Sequence, residues 1–232
     1  MAYRPIFVPM EAGPVLVRTD MLSFTWHAGL SVSQKQKSIA SLHEAARTSL
    51  GCSSLLEVSS KSVDPVGIAL SAFNLSMYHP AIDSTVSVEC AFQAGKVFRD
   101  GGPYLDLLHM SSRDAKRDPR IRGDSPLVAF RYCQMDWPLE PQTAFYDWLY
   151  INALREKPAL SQQVMGYSAF TDIEFNPQQS INCQAYSVAL FAALTKRGMI
   201  ADVASQDAFL NCLRGSRISN ARQDEARQGS LF

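Results

Sequence analysis

The sequence predicts an α+β fold in which helices form most of the core and a small sheet is built from strands near the N-terminus. Short runs rich in β-forming residues, most of them bounded by Pro or Gly, occur at residues 4–9, 14–18 and 55–59. Longer apolar segments with helical spacing follow at 143–154 and from residue 180 onward. We therefore expect the early strands to cover one side of a helical core.

The length and the charge of the chain limit its organisation and its partners. It has 232 residues, with 22 basic and 22 acidic side chains, and we find no repeat or flexible linker that would divide it. We expect a single domain, 1–232, with a β-rich lead-in and amphipathic helix (1–54), a core segment (55–196) and a helical tail (197–232). Because the charges cancel, we expect any contact with nucleic acid to be local, transient or directed at a modified group.

The cysteines and the hydropathy indicate a reduced compartment. The five cysteines are widely spaced and lack a CxxC pair, so we expect them to be reduced core residues of a cytoplasmic protein. No run of 18 apolar residues and no classical signal sequence occurs, so we expect neither membrane insertion nor secretion. The histidines lack the spacing of metal ligands, and no dinucleotide-binding, P-loop or nucleophile-elbow motif is present. We expect no metal and no cofactor.

The N-terminal third should contain a hairpin, a further strand and a helix. A short Gly-containing segment separates residues 4–9 from 14–18, and this pattern predicts the hairpin. A third strand is predicted at 22–26, where apolar and polar residues alternate. From Ser33, the apolar residues Ile39, Leu42 and Ala46 share one helical face, with Ser33 as the expected N-cap.

A buried helix over residues 85–98 carries the first candidate site. On a helix, Glu89, Gln93 and Lys96 stand at i, i+4 and i+7, and most of the remaining side chains are apolar. One stripe would then present a carboxylate, an amide and an amine. A structural Glu/Lys pair is the alternative, because such pairs are commoner than catalytic ones.

Two further segments place polar groups where a ligand could use them. Ser71 and Asn74 interrupt the apolar run 67–75, and each needs a hydrogen-bond partner, either the local backbone or a ligand. Residues 111–122 form the one concentrated basic segment, and two serines at its start precede Arg and Lys side chains. This arrangement favours an anion site, with a capped, solvated helix as the alternative.

The C-terminal half predicts two more buried helices with a polar loop between them. Residues 143–154 are strongly apolar and aromatic, and 168–177 is an irregular loop that carries two carboxylates. The second helix begins near Ser180 or Asn182 and ends at Gly198. A polar loop aimed at the start of a helix is a common place for a functional site.

These motifs, in this order, resemble those of the NADAR superfamily of YbiA-like proteins. The resemblance is carried by the Ser-Ala-Phe-Asn turn at 71–74, Glu-x-x-x-Gln-x-x-Lys at 89–96, the Ser-Ser-Arg-Asp-Ala-Lys-Arg segment at 111–117, Trp137, Asp172 and Asn182. The sequences at 4–9, 34–38 and 137–150 are similar to those of NADAR antitoxins paired with DarT-type ADP-ribosyltransferase toxins. Cys90 stands where the family usually has His, and Glu174-Phe-Asn stands where Trp-Gly-x-Gly is expected.

The resemblance implies that the protein is a hydrolase that removes ADP-ribose from guanine bases in DNA or RNA and so reverses the modification made by a toxin. ADP-ribose would be the substrate moiety and product, and a cognate toxin a possible partner. Glu89 and Lys96 would be catalytic, either with Glu89 supplying charge and proton transfer or with Lys96 forming a Schiff base. The implied ligand-binding residues are Ser71, Phe73, Asn74, Gln93, Ser111, Ser112, Arg113, Lys116, Arg117, Trp137, Asp172 and Asn182.

Two other functions stay open at this point. A YbiA-like N-glycosidase would act on a small phosphorylated metabolite with no nucleic acid involved. A non-enzymatic antitoxin would neutralise the toxin by binding it.

Overall fold

The structure, a computed structural model, describes residues 1–178 and 180–215. Its strands are β1 (Ala2–Pro9), β2 (Val17–Phe24), β3 (Leu55–Glu57), β4 (Ser76–His79), β5 (Ser84–Ser87), β6 (Lys96–Phe98), β7 (Leu127–Tyr132), β8 (Met135–Trp137) and β9 (Ala169–Thr171). Its helices are α1 (Val32–Leu50), α2 (Pro65–Ala69), α3 (Val88–Ala94), α4 (Ser112–Arg117), α5 (Pro119–Arg122), α6 (Ala144–Arg155), α7 (Pro158–Val164), α8 (Gln184–Lys196) and α9 (Gln206–Gly215). The α+β prediction is confirmed.

The N-terminal strands form a sheet with two strands from the central part of the chain. The strand order is β2-β1-β9-β3, in which β9 is antiparallel to β1 and parallel to β3. The third strand predicted at 22–26 is wrong, because the chain runs straight from Val17 to Phe24 as one strand that pairs along β1. The strand β9 lies in a segment that the sequence predicted to be an irregular loop.

Helix α1 packs on this sheet, and helices α3, α6 and α8 form the centre of the larger core. Ser31 caps α1 in place of the predicted Ser33, since its Oγ accepts a hydrogen bond from the backbone N–H of Gln34. All seven residues of α3 are buried, as are nearly all residues of α6 and α8. Helices buried all round their circumference are mostly apolar, and in α3 the buried polar residues are Glu89 and Gln93.

The predicted helix over 85–98 is wrong at both ends. Thr85 and Val86 lie in β5, where β-branched side chains are favoured, and Ser87 caps the helix by accepting from the N–H of Cys90. The helix ends at Ala94, and Gly95 turns the chain into β6, which pairs with β7. A Cβ atom at Gly95 would lie 2.9 Å from the carbonyl oxygen of Arg131.

The C-terminal part of the chain is described only in part. Helix α9 covers the start of the predicted helical tail, but most of the exposed helix expected over 214–228 lies outside the described residues. No helix within the described ranges has both the length and the hydropathy needed to cross a membrane. The division of the chain into one domain of three segments stays a prediction.

Candidate active site

A turn over residues 71–75 fixes the beginning of α3. The backbone N–H groups of Val88 and Glu89 donate to the carbonyl oxygens of Leu75 and Ala72, at 2.9 and 3.0 Å. Ser71 and Asn74 shape this turn from within, because Ser71 Oγ accepts from the N–H of Phe73 and Asn74 Nδ2 donates to Ile68 O. The structure thus gives the predicted ligand-binding residues Ser71 and Asn74 local backbone partners.

Glu89 lies in the first turn of α3 with its carboxylate at the centre of the site. The residue is 4% exposed, and its Oε1 accepts a hydrogen bond of 2.8 Å from Gln93 Nε2. Lys116 Nζ lies 3.6 Å from the same oxygen. Gln93 Oε1 is buried and accepts no hydrogen bond from the part of the chain that the structure describes. Such a buried amide oxygen carries a free-energy cost of about 1–3 kcal/mol until a donor reaches it.

Lys96 reaches the same site from the first residue of β6 and not from the helix. Its Nζ lies 5.0 Å from the centroid of the Phe92 ring. Burial lowers the pKa of Lys96 to about 8, with the nearby charge of Lys116 also lowering it and that of Glu89 raising it. At that pKa, roughly a tenth of the amines are neutral at pH 7, compared with far fewer than one in a thousand for an exposed lysine.

Phe73 and Lys116 lie at the entrance to the site. The Phe73 ring is 37% exposed, and Lys116 Nζ lies 5.3 Å from its centroid. Ser112, one helical turn before Lys116, donates its hydroxyl to Phe73 O (3.1 Å), and its Oγ also lies 2.8 Å from Ser87 Oγ, within hydrogen-bond distance. Helix α4 is thereby held against both the turn at 71–75 and the start of α3.

The rest of the basic segment faces outward. Ser111 Oγ accepts from the N–H of Asp114 and donates to its carboxylate, so Ser111 acts as the local N-cap of α4. Arg113 and Arg117 are exposed. Arg120, which the sequence did not single out, pairs with Asp106 and Asp118.

Asp172 approaches from the other side of the turn at 71–75. It follows β9, is buried, and accepts from the N–H of Glu174. The pKa of Asp172 is raised to about 8, mainly by burial and secondly by the nearby carboxylate of Glu57. A hydrogen bond from Gln184 acts in the opposite direction and lowers this pKa. Gln184 Oε1 accepts from the N–H of Ala72, so one amide side chain joins Asp172 to the turn that holds Glu89.

Glu57 is a buried residue of this region that the sequence-based prediction missed. Its carboxylate accepts from Ser59 Oγ at 2.7 Å, Thr171 Oγ1 at 2.6 Å and the N–H of Ile173 at 2.8 Å. His43 Nε2 lies 2.9 Å from Thr171 Oγ1, and burial lowers the pKa of His43 to about 4. The sequence did contain a signal for Glu57, since it is the single acid in the apolar run 55–58. A carboxylate buried in such a run requires several hydrogen-bond donors around it.

Two predicted residues do not join Glu89 in this structure. Trp137 is 1% exposed and packs against Phe145 and Trp148 with ring centroids 5.6 and 5.0 Å apart, so it belongs to the core. Asn182 is half-buried two residues before α8, and its carbonyl oxygen accepts from Ser180 Oγ. Of the remaining predicted residues, Gln93 donates to Glu89 and Lys116 lies 3.6 Å from it, while Arg113 and Arg117 lie exposed on α4.

A comparison with family models shows which family the chain belongs to. A sequence model of the DarT1-associated NADAR antitoxins matches residues 2–223. The chain belongs to this family. The predicted relationship is therefore confirmed, and the antitoxin family supports a DarT1-type toxin as a partner. A comparison with curated proteins found no match.

The site of this antitoxin contains a buried carboxylate, an amine of lowered pKa and a buried amide oxygen that accepts no hydrogen bond from the described residues. Among residues 1–178 and 180–215, no cluster of three or more His, Cys, Asp or Glu side chains has the arrangement of a metal site. The polar side chains recorded around Glu89 are those of Gln93, Lys96 and Lys116.

Proposed function

We propose that this NADAR antitoxin is an N-glycosidase that removes ADP-ribose from guanine bases in nucleic acid and so reverses the modification made by a DarT1-type toxin. The observation that carries the proposal is the buried Glu89 carboxylate, 3.6 Å from Lys116 Nζ, together with the Lys96 amine, whose pKa is lowered to about 8 and is influenced by the charges of Glu89 and Lys116. Membership of the antitoxin family supports the substrate class.

Glu89 suits the developing charge of this reaction. Cleavage of an N-glycosidic bond builds positive charge at the anomeric carbon, which a nearby carboxylate stabilises. The hydrogen bond from Gln93 fixes the direction of the carboxylate, and the unpaired Gln93 oxygen is a ready acceptor for a ribose hydroxyl. In the proposal, Glu89 also transfers the proton that the departing guanine requires.

Lys96 acts as the nucleophile in the proposal. The lone pair of neutral Nζ forms a bond to the anomeric carbon, the electron pair of the glycosidic bond goes to the guanine nitrogen, and that nitrogen takes up a proton. Opening of the ribose ring gives an imine on Nζ, and water then hydrolyses it to free ADP-ribose and the regenerated amine. Lys116, Arg113 and Arg117 supply cations for the diphosphate, which suits their exposure on α4.

The remaining predicted groups have supporting roles. We propose that exposed Phe73 stacks on a ring of the substrate at the entrance. Asp172, held by Gln184 behind the turn, and Asn182 would bind ribose hydroxyls or the base edge. Asp172 would do so mainly in its protonated form, because its pKa is raised to about 8.

Incubation with ADP-ribosylated oligonucleotides tests the function. We expect the purified protein to release ADP-ribose from DNA or RNA modified on guanine, and much less from DNA modified on thymine. Glu89→Gln keeps the size and one hydrogen-bonding oxygen of Glu89, and it should lower the rate at least a hundredfold, the scale of a lost acid–base group. Release from a free ribosylamino-pyrimidine but not from any oligonucleotide would instead establish the metabolite glycosidase.

A further inference from the structure

Two cationic side chains lie against the ring of Trp26, at one end of the sheet formed by β1 and β2. Arg4 Cζ lies 5.4 Å from the centroid of the ring, and Lys35 Nζ lies 4.7 Å from it. Arg4 belongs to β1, Trp26 follows β2, and Lys35 lies in the first turn of α1. Three separate parts of the N-terminal segment thus meet at one aromatic ring, and Arg4, Trp26 and Lys35 are called the Trp26 cluster below.

Helix α1 fixes the position of Trp26. The backbone N–H of Thr25 donates to Ser41 Oγ at 3.1 Å, and that of His27 donates to Ser38 Oγ at 2.9 Å. The chain is therefore anchored on both sides of Trp26. The residue is only half-buried, so part of the ring is presented to solvent in a fixed place.

Arg4 has a donor that the described residues leave unused, and it lies close to the loop after β9. Its Nη1 donates to Tyr3 O at 2.8 Å, but its buried Nε donates to no acceptor within the described ranges. Burial lowers the pKa of Arg4, whereas the nearby charges of Asp172 and Glu174 raise it. Lys35 reaches the same loop, since its Nζ lies 3.0 Å from Glu174 Oε1.

The loop after β9 also connects to the turn that holds Glu89. Gln184 donates to Asp172, and its Oε1 accepts from the N–H of Ala72. The carbonyl oxygen of Ala72 in turn accepts from the N–H of Glu89. The Trp26 cluster therefore lies beside a loop that is joined by hydrogen bonds to the candidate active site.

An exposed aromatic ring with cations on it has the chemistry of a site for single-stranded nucleic acid. Such sites combine a ring that stacks on an unpaired base with Lys and Arg side chains that bind the neighbouring phosphates. The cluster is also local, as a chain with 22 basic and 22 acidic residues requires.

We propose that the Trp26 cluster is a docking surface for the nucleic-acid strand that carries the modified guanine. Trp26 stacks on an unpaired base near that guanine, and Arg4 and Lys35 bind the adjoining phosphates. The inference rests on the proposed function for the choice of nucleic acid as the partner. It assigns contact with the strand to a part of the chain outside the segment 71–182 that contains the predicted site residues.

The fluorescence of Trp26 tests the stacking directly. The chain contains three Trp residues, of which Trp137 and Trp148 are buried in the core at 1% and 6% exposure. Titration with an unmodified single-stranded DNA oligonucleotide should quench the emission of the unaltered protein, because a stacked base quenches an indole. Trp26→Phe should abolish this quenching. Absence of quenching, or quenching that persists in Trp26→Phe, would overturn the proposal.

The affinity for the same oligonucleotide, measured by fluorescence anisotropy with a labelled strand, tests the whole cluster. Trp26→Ala should raise Kd about fivefold or more, the scale of one lost base–aromatic contact. Lys35→Gln should raise Kd and reduce the slope of log Kd against log salt concentration by about one, because one phosphate contact is lost. Lys37→Gln is the matched control, since Lys37 is exposed two positions later on a different side of α1, and it should leave Kd unchanged.

Glu174→Gln should have the opposite effect and lower Kd, because Glu174 competes with phosphate for Lys35. A variant that only damaged the fold would not bind more tightly. Unchanged Kd values in Trp26→Ala, Lys35→Gln and Glu174→Gln would overturn the proposal. Loss of co-purification with a DarT1-type toxin in these variants, with binding of DNA unaltered, would overturn it in favour of a protein-docking surface.

A pair of substrates separates the strand from the ADP-ribose moiety during turnover. Trp26→Ala should raise KM for a guanine-ADP-ribosylated oligonucleotide but not for ADP-ribosylated guanosine, which has no neighbouring nucleotides. An equal rise for both would contradict the proposal. Because binding of the unmodified strand requires no turnover, failure to release ADP-ribose would contradict the proposed function alone, and release without quenching of Trp26 would contradict this inference alone.

Discussion

The pKa values of Lys96 and Asp172 both differ from those of exposed side chains by more than two pH units. Burial is the largest cause in each case, and it acts in opposite directions, lowering the pKa of the amine and raising that of the carboxyl group to about the same value, 8. Near neutral pH the site therefore contains a partly neutral amine and a mostly protonated acid. Neither property could be inferred from the sequence, since both depend on how deeply the groups are buried.

The neutral fraction of Lys96 should control the pH dependence of the reaction. Between pH 6 and 8 the rate of ADP-ribose release should rise with pH as Lys96 loses its proton, and it should level off above about pH 8. The charge of Lys116 contributes to the lowered pKa of Lys96, so Lys116→Gln should move the inflection to higher pH. Single-turnover rates with saturating protein measure this, and a flat profile from pH 6 to 9 would contradict the nucleophilic role of Lys96.

Asp172 should make the stability of the protein depend on pH. Its pKa in the folded state is higher than the ordinary value of 3.8, so the folded state binds more protons than the unfolded state between about pH 4 and 8, and stability falls as pH rises through that range. Asp172→Asn resembles the protonated form but cannot ionise. Its free energy of unfolding should be close to that of the unaltered protein near pH 4 and greater at pH 8.

Urea denaturation at the two pH values measures the difference. Glu44→Gln, which removes a carboxylate at an exposed position of α1, serves as the control and should show no comparable change between pH 4 and 8. A constant stability difference between Asp172→Asn and the unaltered protein would contradict the protonated state of Asp172.

At the scale of single elements, α3 shows where sequence periodicity succeeds and where it fails. The spacing of Glu89 and Gln93 correctly placed them on one helical face, as their hydrogen bond shows. The same spacing wrongly extended the helix to Lys96. Gly95 and the following Lys-Val-Phe are compatible with helix by hydropathy, but pairing with β7 determines their structure, and a long-range pairing is not visible in local sequence.

The turn at Gly95 should tolerate no side chain. Its ideal Cβ would lie 2.9 Å from the Arg131 carbonyl oxygen and 2.9 Å from Cζ of Phe145, which is itself fully packed in the core. Gly95→Ala should therefore cost about 1–3 kcal/mol of stability through overpacking. Gly123→Ala, where the nearest atom is 3.6 Å away, is the matched control and should change the free energy of unfolding by less than about 0.5 kcal/mol.

An equal effect of the two alanine substitutions, measured by urea denaturation, would show that Gly95 is not required for the turn. The close packing of Gly95 also fixes the position of Lys96, because Lys96 is the next residue and begins β6.

At the scale of the whole molecule, much of the architecture could be predicted from the sequence, but the assembly of the site could not. The N-terminal hairpin, α1 and the apolar helix over 143–154 were all recognisable from periodicity and turn residues. The insertion of β9 between β1 and β3 could not be predicted, because its three residues, Ala-Phe-Thr, are too few to identify as a strand. That pairing positions Asp172 and brings Glu57 beside it, which is why Glu57 was missed.

The ordered motifs nevertheless identified the family, and the family links the fold to toxin neutralisation. If the protein protects cells by catalysis, Glu89→Ala should abolish protection when it is expressed together with a DarT1-type toxin. Colony counts and the level of ADP-ribosylated nucleic acid measure this, with immunoblotting to show equal amounts of the two proteins. Full protection by Glu89→Ala, together with stable co-purification with the toxin, would support neutralisation by binding instead.

Chemical trapping during turnover tests the central claim, that the Lys96 amine beside Glu89 attacks the ribose, most directly. Borohydride added during reaction with guanine-ADP-ribosylated DNA should reduce the imine and leave one ADP-ribose on Lys96, located by peptide mass spectrometry. Lys96→Arg keeps the positive charge but cannot form the imine, so it should yield neither adduct nor product. Rapid release of ADP-ribose by Lys96→Arg, with no adduct on Lys96 of the unaltered protein, would contradict the claim.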